Sequence, residues 1–237
     1  MQRYNTMQRY AILVAGGSGS RMKSEVPKQF LEIAQKPVLF YTLEKFSLLS
    51  PPPKIILVLP EKSIDFWKNL CLKHNFLIPH DLVLGGATRY QSVKNALSFI
   101  AQSKPEKALV AIHDGVRPFV DLAVLEESYR VASQEGSAVA SVPLKESIRA
   151  VQSLSDSKSV ARSNFRLIQT PQTFIFSEIW QAFGKVPDGE NITDDASVLE
   201  FSGKKIHLIE GNYENIKITT PEDLIFAEAY IKNKYTI

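Results

Sequence analysis

The chain has 237 residues, 44% hydrophobic and 22% charged, which suffices for the core of one generous domain with at most an appendage. Its formal net charge is +3, and the cations are spread rather than blocked into one run, so neither a nucleic acid nor a membrane surface is an expected partner. A single cysteine, Cys71, excludes an internal disulfide framework and a cysteine-rich zinc site, and no apolar run approaches the ~20 residues of a spanning helix.

MQRY stands at Met1 and again at Met7, which makes Met7 an alternative start. Residues 1–9 are read as an extension outside the fold, and the chain as a single domain. The opening has neither the apolar core of a signal peptide nor an Arg/Ser-rich transit pattern, so a cytoplasmic location is expected. Residues 11–15, 54–59 and 108–113 are near-continuous apolar runs, the pattern of strands covered on both faces. Strands are also expected over 137–142 and 205–210. Helical patterns occupy 38–46, 64–74, 90–101 and 121–135, the first stopped sharply by Pro51-Pro52-Pro53. Cys71 lies in the second of these as a packing residue. The alternation predicts an α/β fold, a Rossmann-like three-layer sandwich around a mostly parallel, twisted sheet.

After Pro143 the rhythm breaks. Two short extended runs, 148–151 and 165–168, flank a polar turn at 153–159, which predicts a protruding β-hairpin arm over 145–166. A hairpin without an apolar layer of its own is marginal in isolation, so a second subunit is its expected support. Helices return over 177–183, 194–201 and 221–231. The last opens Thr220-Pro221-Glu222-Asp223, with a capping residue, proline at the first position and acids in the first turn.

Four groups of residues are candidates for chemistry. The first strand runs into Ala15-Gly16-Gly17-Ser18-Gly19-Ser20-Arg21-Met22, then Pro27-Lys28-Gln29. The Gly-Lys-Ser/Thr of a P-loop is missing, and Met22 stands where a dinucleotide fingerprint needs its third glycine. What remains is a glycine loop with two cations, Arg21 and Lys28, suited to a polyphosphate; the alternative is a tight turn with surface cations. Gly85-Gly86-Ala87-Thr88-Arg89-Tyr90-Gln91-Ser92 forms either a base-binding recess or a plain strand-to-helix turn. His113-Asp114-Gly115-Val116-Arg117-Pro118 follows a buried strand, where open α/β sheets place ligands. Asp114 offers a hard oxygen ligand for Mg²⁺, or else caps the turn or pairs with Arg117; His113 reads as structural. Arg162, Gln169-Thr170-Pro171-Gln172, Thr193-Asp194-Asp195 and Asn215-Ile216-Lys217 form a scattered fourth group.

Taken together, these segments resemble the 2-C-methyl-D-erythritol 4-phosphate cytidylyltransferase family of the non-mevalonate isoprenoid pathway. The likeness runs from about Tyr10 to the carboxyl terminus. It is carried by AGGSGSRM with PKQ, GGATRYQSV, HDGVRP, VPLKESI, QTPQTF, ITDDAS and EGNYENIKITTPEDL, in that order. It implies transfer of CMP from CTP to methylerythritol phosphate with Mg²⁺, in a homodimer joined through the hairpin arm. Ala15, Gly16, Gly17, Ser18, Gly19, Gly86, Ser92, Asp114 and Gly115 would surround the nucleotide. Arg21 and Lys28 would steady the triphosphate and the pentacoordinate phosphorus, and Asp114 would hold the metal. Arg117, Ser147, Arg162, Thr170, Thr193 and Lys217 would address the acceptor, with Arg162 and Lys217 aiming its phosphate. Ser147 and Arg162 would reach the partner's site.

Three departures from the family pattern stand out: Glu146-Ser147 in place of Asp-Thr, Gly115 in place of alanine, and Arg166 in place of an aromatic residue. A phosphate monoester is mostly a dianion at neutral pH, so this reaction needs cations and alignment rather than a general base. Two rivals stand beside it. One is a cytidylyltransferase for ribitol 5-phosphate; the other is a nucleotide-binding module without catalysis.

Overall fold

The apolar run at 11–15 forms the first strand, β1 (Gln8–Val14). The structure, a computed structural model, describes residues 7–17, 26–187 and 192–235. In chain order β1 is followed by β2 (Glu32–Ile33), β3 (Lys36–Pro37), α1 (Val38–Ser47), β4 (Lys54–Leu59), α2 (Ile64–Lys73), β5 (Asp81–Leu84) and α3 (Arg89–Gln102). Next come β6 (Ala108–Asp114), α4 (Leu122–Glu135), β7 (Ser137–Pro143), β8 (Ile148–Ser153), β9 (Asp156–Val160) and β10 (Arg166–Ile175). The chain continues through α5 (Phe176–Lys185), α6 (Asp195–Phe201), β11 (Leu208–Glu210) and α7 (Pro221–Tyr235).

Seven strands form one sheet in the order β11-β7-β10-β6-β1-β4-β5. Every neighbour pair is parallel except the two made by β10, which runs antiparallel to both β6 and β7. Side chains alternate across this sheet as strand geometry requires. Ala11 and Leu13 of β1 enter the core shared with α1, α2 and α4, while Tyr10 and Ile12 enter the one shared with α3, α5 and α6. Helices on both faces make the three layers. Cys71 packs at the edge of the first core, as expected of a packing residue, and burial pushes its thiol up to about 11.

From β1 the chain steps outward to β4 on one side and returns to place β6 on the other. The crevice at the carboxyl ends of β1 and β6 is therefore a topological switch point, where open sheets bind ligands. Val14 leads into the glycine loop there, and Asp114 closes β6.

Three expectations are corrected. The supposed extension ends too late, because Gln8 and Arg9 already belong to β1; Arg9 is 4% exposed and reaches Glu126 at 3.1 Å. The arm is a true hairpin, but its strands are β8 and β9, with a register shift between Val151 and Ser153. The run at 165–168 belongs instead to β10, an inner strand of the main sheet. Pro171 is tolerated inside it because the ladder with β7 shifts register between Ile168 and Gln172. Finally, Arg166 is held by Ser141 and Glu210: its Nε donates to Ser141 Oγ at 2.8 Å, and Nη2 lies 2.5 Å from the Glu210 carboxylate. Polar anchoring replaces aromatic packing at the root of the arm.

Candidate active site

Short stretches from four parts of the chain meet at the switch point. Ala15 N–H donates to Val58 O at 3.0 Å and Gly115 N–H to Val14 O at 2.9 Å, which ties the ends of β1, β4 and β6 into one floor. After β5, Gly86 N–H donates to Ser92 Oγ at 3.0 Å, and that hydroxyl donates to Thr88 O at 2.9 Å. Thr88 in turn caps α3 by accepting from Gln91 N–H at 3.1 Å. Ser92 is thus the latch of this loop, and only glycine fits at position 86, since a Cβ there would overlap the Gln91 side chain. Ala15, Gly16, Gly17, Lys28, Gly86 and Ser92 line a cavity of about 400 Å³, with Asp114 and Lys217 on its far wall.

A second cavity of about 340 Å³ adjoins the first, lined by Arg117, Thr170, Thr193 and Asp194 among others. Arg89, Asp114 and Lys217 line both cavities. Asp114 is 6% exposed. Lys217 Nζ lies 2.9 Å from its Oδ2, Arg117 Nε 3.4 Å from the same oxygen, and Arg89 Nε 3.6 Å from Oδ1. Burial favours the neutral acid, but Arg89, Lys217 and Arg117 outweigh it and hold the carboxyl well below the usual carboxylate range. The pairing with Arg117, one of the two readings of Asp114, is present, and the carboxylate also lines both cavities.

Lys217 is placed by backbone zippering. Ile218 N–H donates to Val116 O at 2.9 Å, Arg117 Nη1 to Asn215 O at 2.7 Å, and Asn215 Nδ2 to Thr170 O at 2.8 Å. Thr170 has a second task. Its Oγ1 accepts from Asp114 N–H at 3.1 Å and contacts His113 Nδ1 at 3.0 Å, while His113 Nε2 faces Arg117 O at 3.1 Å. A carbonyl at Nε2 places the imidazole proton there, so Nδ1 accepts the threonine hydroxyl. Burial pushes His113 down to about 4, and it stays neutral. With both ring nitrogens engaged, His113 is structural, as expected from the sequence.

Other expected residues stand elsewhere. Gly115 lines neither cavity: it is buried behind the floor, where its carbonyl accepts from Thr42 Oγ1 at 2.9 Å. Ser147 and Arg162 are exposed at the root of the arm and line neither cavity; Arg162 Nη1 donates to Lys145 O. Ser18, Gly19 and Arg21 lie outside the described residues.

Arg89 was passed over in the sequence, although it stands in the middle of the GGATRYQSV segment. Its guanidinium grips Asp195 with two bonds, Nη1 to Oδ1 at 2.8 Å and Nη2 to Oδ2 at 2.6 Å. Burial lifts the Asp195 carboxyl, Arg89 pulls against that, and the charges of Asp114 and Asp194 add to the lift. Asp194, beside it, caps α6 by accepting from Ser197 N–H at 2.9 Å.

Among the described residues no three His, Cys, Asp or Glu side chains gather into a metal site. Mg²⁺ commonly takes one or two carboxylates, with water and substrate phosphates completing its shell. The Asp114 carboxylate, which lines both cavities, fits one place in such a shell.

The sequence matches the family model of 2-C-methyl-D-erythritol 4-phosphate cytidylyltransferase over residues 10–233. The chain belongs to that family. It is 45% identical over 225 residues to the 2-C-methyl-D-erythritol 4-phosphate cytidylyltransferase of Bacteroides thetaiotaomicron, spanning 95% of this chain and 100% of the relative. Identity to the family member of Bacteroides fragilis is 44% over the same shares of the two chains. Among solved structures, the 4-diphosphocytidyl-2C-methyl-D-erythritol synthase of Anaerococcus prevotii superposes with a TM-score of 0.83 at 29% identity, over 97% of this chain and 98% of that one. The cytidylyltransferase of Thermus thermophilus gives 0.75 at 28% identity, over 95% and 100%. Family membership therefore rests on the length of the chain as well as on its motifs.

Proposed function

We propose that this chain transfers the cytidylyl group of CTP to 2-C-methyl-D-erythritol 4-phosphate, giving 4-diphosphocytidyl-2-C-methyl-D-erythritol and pyrophosphate. The observation that carries the reading is the pair of adjoining cavities with Arg89, Asp114 and Lys217 in their common wall. The cavity beside the glycine loop takes the donor, and the one beside Arg117 and Thr193 takes the acceptor. An acceptor phosphate oxygen attacks the α-phosphorus of CTP, the bond from that phosphorus to the bridging oxygen breaks, and pyrophosphate leaves. The nucleophile is already ionised, so the neutral, fully engaged His113 is no obstacle. Lys28 and Arg21 stabilise charge on the triphosphate, while Lys217 and Arg117 bring the acceptor phosphate into line. Mg²⁺ carried by CTP and touched by Asp114 would neutralise the phosphates further.

The same reading includes a homodimer. Val151, Leu154, Phe165, Leu167 and Ile168 are exposed on and beside the arm, and Leu154 at its tip is entirely so. Val151 and Leu154 lie on the arm and Phe165, Leu167 and Ile168 flank its root, and exposed apolar side chains so grouped favour a protein partner. A second copy seated there would cover them and bring Ser147 and Arg162 to the neighbour's acceptor cavity.

One assay tests the reaction: purified protein with CTP, Mg²⁺ and either methylerythritol 4-phosphate or ribitol 5-phosphate, read by pyrophosphate release. Faster turnover of methylerythritol phosphate is expected. Faster turnover of ribitol 5-phosphate would overturn the choice of acceptor, and no pyrophosphate from either would overturn the enzymatic reading.

A further inference from the structure

Three side chains are shared by the two cavities, and the roles set out above use two of them, Asp114 and Lys217. The third, Arg89, is the first residue of α3, directly after the cap Thr88 and three residues before the latch Ser92. Its backbone therefore belongs to the donor loop. Its guanidinium reaches across 106 residues of sequence to Asp195, the first residue of α6. Asp195 is 1% exposed and takes both of its side-chain hydrogen bonds from Arg89.

The far end of this contact is braced independently. Gln172 Nε2 donates to Asp194 Oδ2 at 2.9 Å, and Gln172 Oε1 accepts from Ala196 N–H at 2.8 Å. Thr193 and Asp194, which line the acceptor cavity, immediately precede Asp195. One guanidinium thus connects the donor loop to the acceptor wall, with its Nε 3.6 Å from Asp114 between them.

We infer that Arg89 and Asp195 form a positioning clamp that fixes the acceptor wall at Thr193 and Asp194 relative to the donor loop at Gly86 to Thr88. An in-line transfer depends on that relation more than on the depth of either cavity, because small misplacements of reacting groups cost rate steeply. A bidentate fork fixes direction as well as distance, which a lysine ammonium does not do. As a clamp the pair acts by positioning the two walls it joins. The inference rests on the cytidylyl-transfer reading, and the parent protein's turnover of CTP and methylerythritol phosphate serves as its control.

The test uses Arg89→Lys, Asp195→Asn and the double variant, with thermal melts, steady-state kinetics and CTP affinity measured without acceptor. Both single changes keep a hydrogen-bonding group at the site. In folded variants kcat is expected to fall about tenfold or more and KM for the acceptor to rise, while CTP affinity moves less than about threefold. The double variant is expected to lose no more than the worse single variant, since the two residues work as a unit. Folded single variants with kcat and both KM values within about twofold of the parent would overturn the clamp, as would losses that multiply in the double variant. If the singles melt before assay temperature, the conservative double change Arg89→Gln with Asp195→Asn, which removes both buried charges, replaces them, and kcat and both KM values within about twofold of the parent would again overturn the clamp. An inactive parent would instead overturn the reaction itself.

Discussion

His113 Nδ1 and Thr170 Oγ1 lie 3.0 Å apart, and the same hydroxyl accepts the backbone N–H of Asp114 at 3.1 Å. Threonine and histidine here build the seat of the carboxylate that both cavities share. The Asp114 backbone is fixed from below by this chain of bonds, and its side chain is fixed from above by three cations. Thr170, expected at the acceptor, therefore also has a positioning task.

This arrangement makes stability sensitive to mild acid. Burial lowers His113 from 6.5 to about 4, so on acidification the unfolded chain takes up this proton before the folded one does. The contribution is complete above about pH 6.5 and is lost as pH falls toward 4. Between pH 7 and 5 it amounts to about 2 kcal/mol. The lowered carboxyl of Asp114 acts in the same sense, but its window opens only below its ordinary value of 3.8. Denaturant melts at pH 7 and pH 5 should show the parent losing about 2 kcal/mol more than His113→Gln, which has no imidazole to charge. Equal losses in the two proteins would contradict the assignment.

Lys28 tests the donor side. It is 9% exposed in the wall of the donor cavity, and its Cε lies 3.6 Å from where a Cβ on Gly17 would be. A cation so placed against the glycine loop acts most strongly on charge that grows during pyrophosphate departure. Lys28→Ala is expected to lower kcat by about a hundredfold or more while CTP affinity changes less than about tenfold. Equal losses in turnover and in affinity, from single-turnover kinetics and equilibrium titration, would reduce Lys28 to a ground-state contact.

The donor half of this site was legible in the sequence because its parts are local. Gly16, Gly86 and Asp114 stand at or just past a strand end, and apolar runs announce β1, β4 and β6. Arg89 was not legible as a clamp, since Asp195 lies 106 residues away and the pair forms only once α3 and α6 pack. The arm was half legible. Asp156-Ser157-Lys158-Ser159 reads as a polar turn, yet it forms β9, because a hairpin open to solvent on both faces carries no apolar alternation. Strand β10 was obscured by Pro171, whose place in an inner strand depends on a register shift that no local pattern reveals.

Arg162 tests the arm. Exposed at its root and lining neither cavity of its own chain, it gains a role in catalysis only if a second subunit presents it. Mixed dimers of Arg162→Ala and Lys28→Ala chains are expected to recover one working site each, with Lys28 from one chain and Arg162 from the other. Each homodimer of these variants should stay nearly inactive. Tagged, verified mixed dimers that show no recovery in the pyrophosphate assay would remove Arg162 from the partner's site and overturn the shared-site reading.

Two glycines separate steric necessity from family habit. A Cβ at Gly86 would overlap Gln91 Cγ and stand 2.5 Å from its Cβ, inside the first turn of α3, where the side chain is fixed by its bond to Asn95. A Cβ at Gly115 would stand 2.9 Å from Leu39 Cδ1, the end of a flexible side chain, and 3.1 Å from Ala15 Cβ. Gly86→Ala should therefore cost about 1–3 kcal/mol of stability, as overpacking does, and should raise KM for CTP by moving the latch at Ser92. Gly115→Ala, which restores the residue usual in the family, should cost less than Gly86→Ala, because its nearest contact is the end of a side chain at 2.9 Å rather than an overlapping Cγ and a Cβ at 2.5 Å, and because the unfolded chain loses entropy. Melting curves with CTP kinetics on both variants check the contrast. A Gly115→Ala protein as damaged as Gly86→Ala would mean that the floor behind Asp114 is as rigid as the donor loop above it.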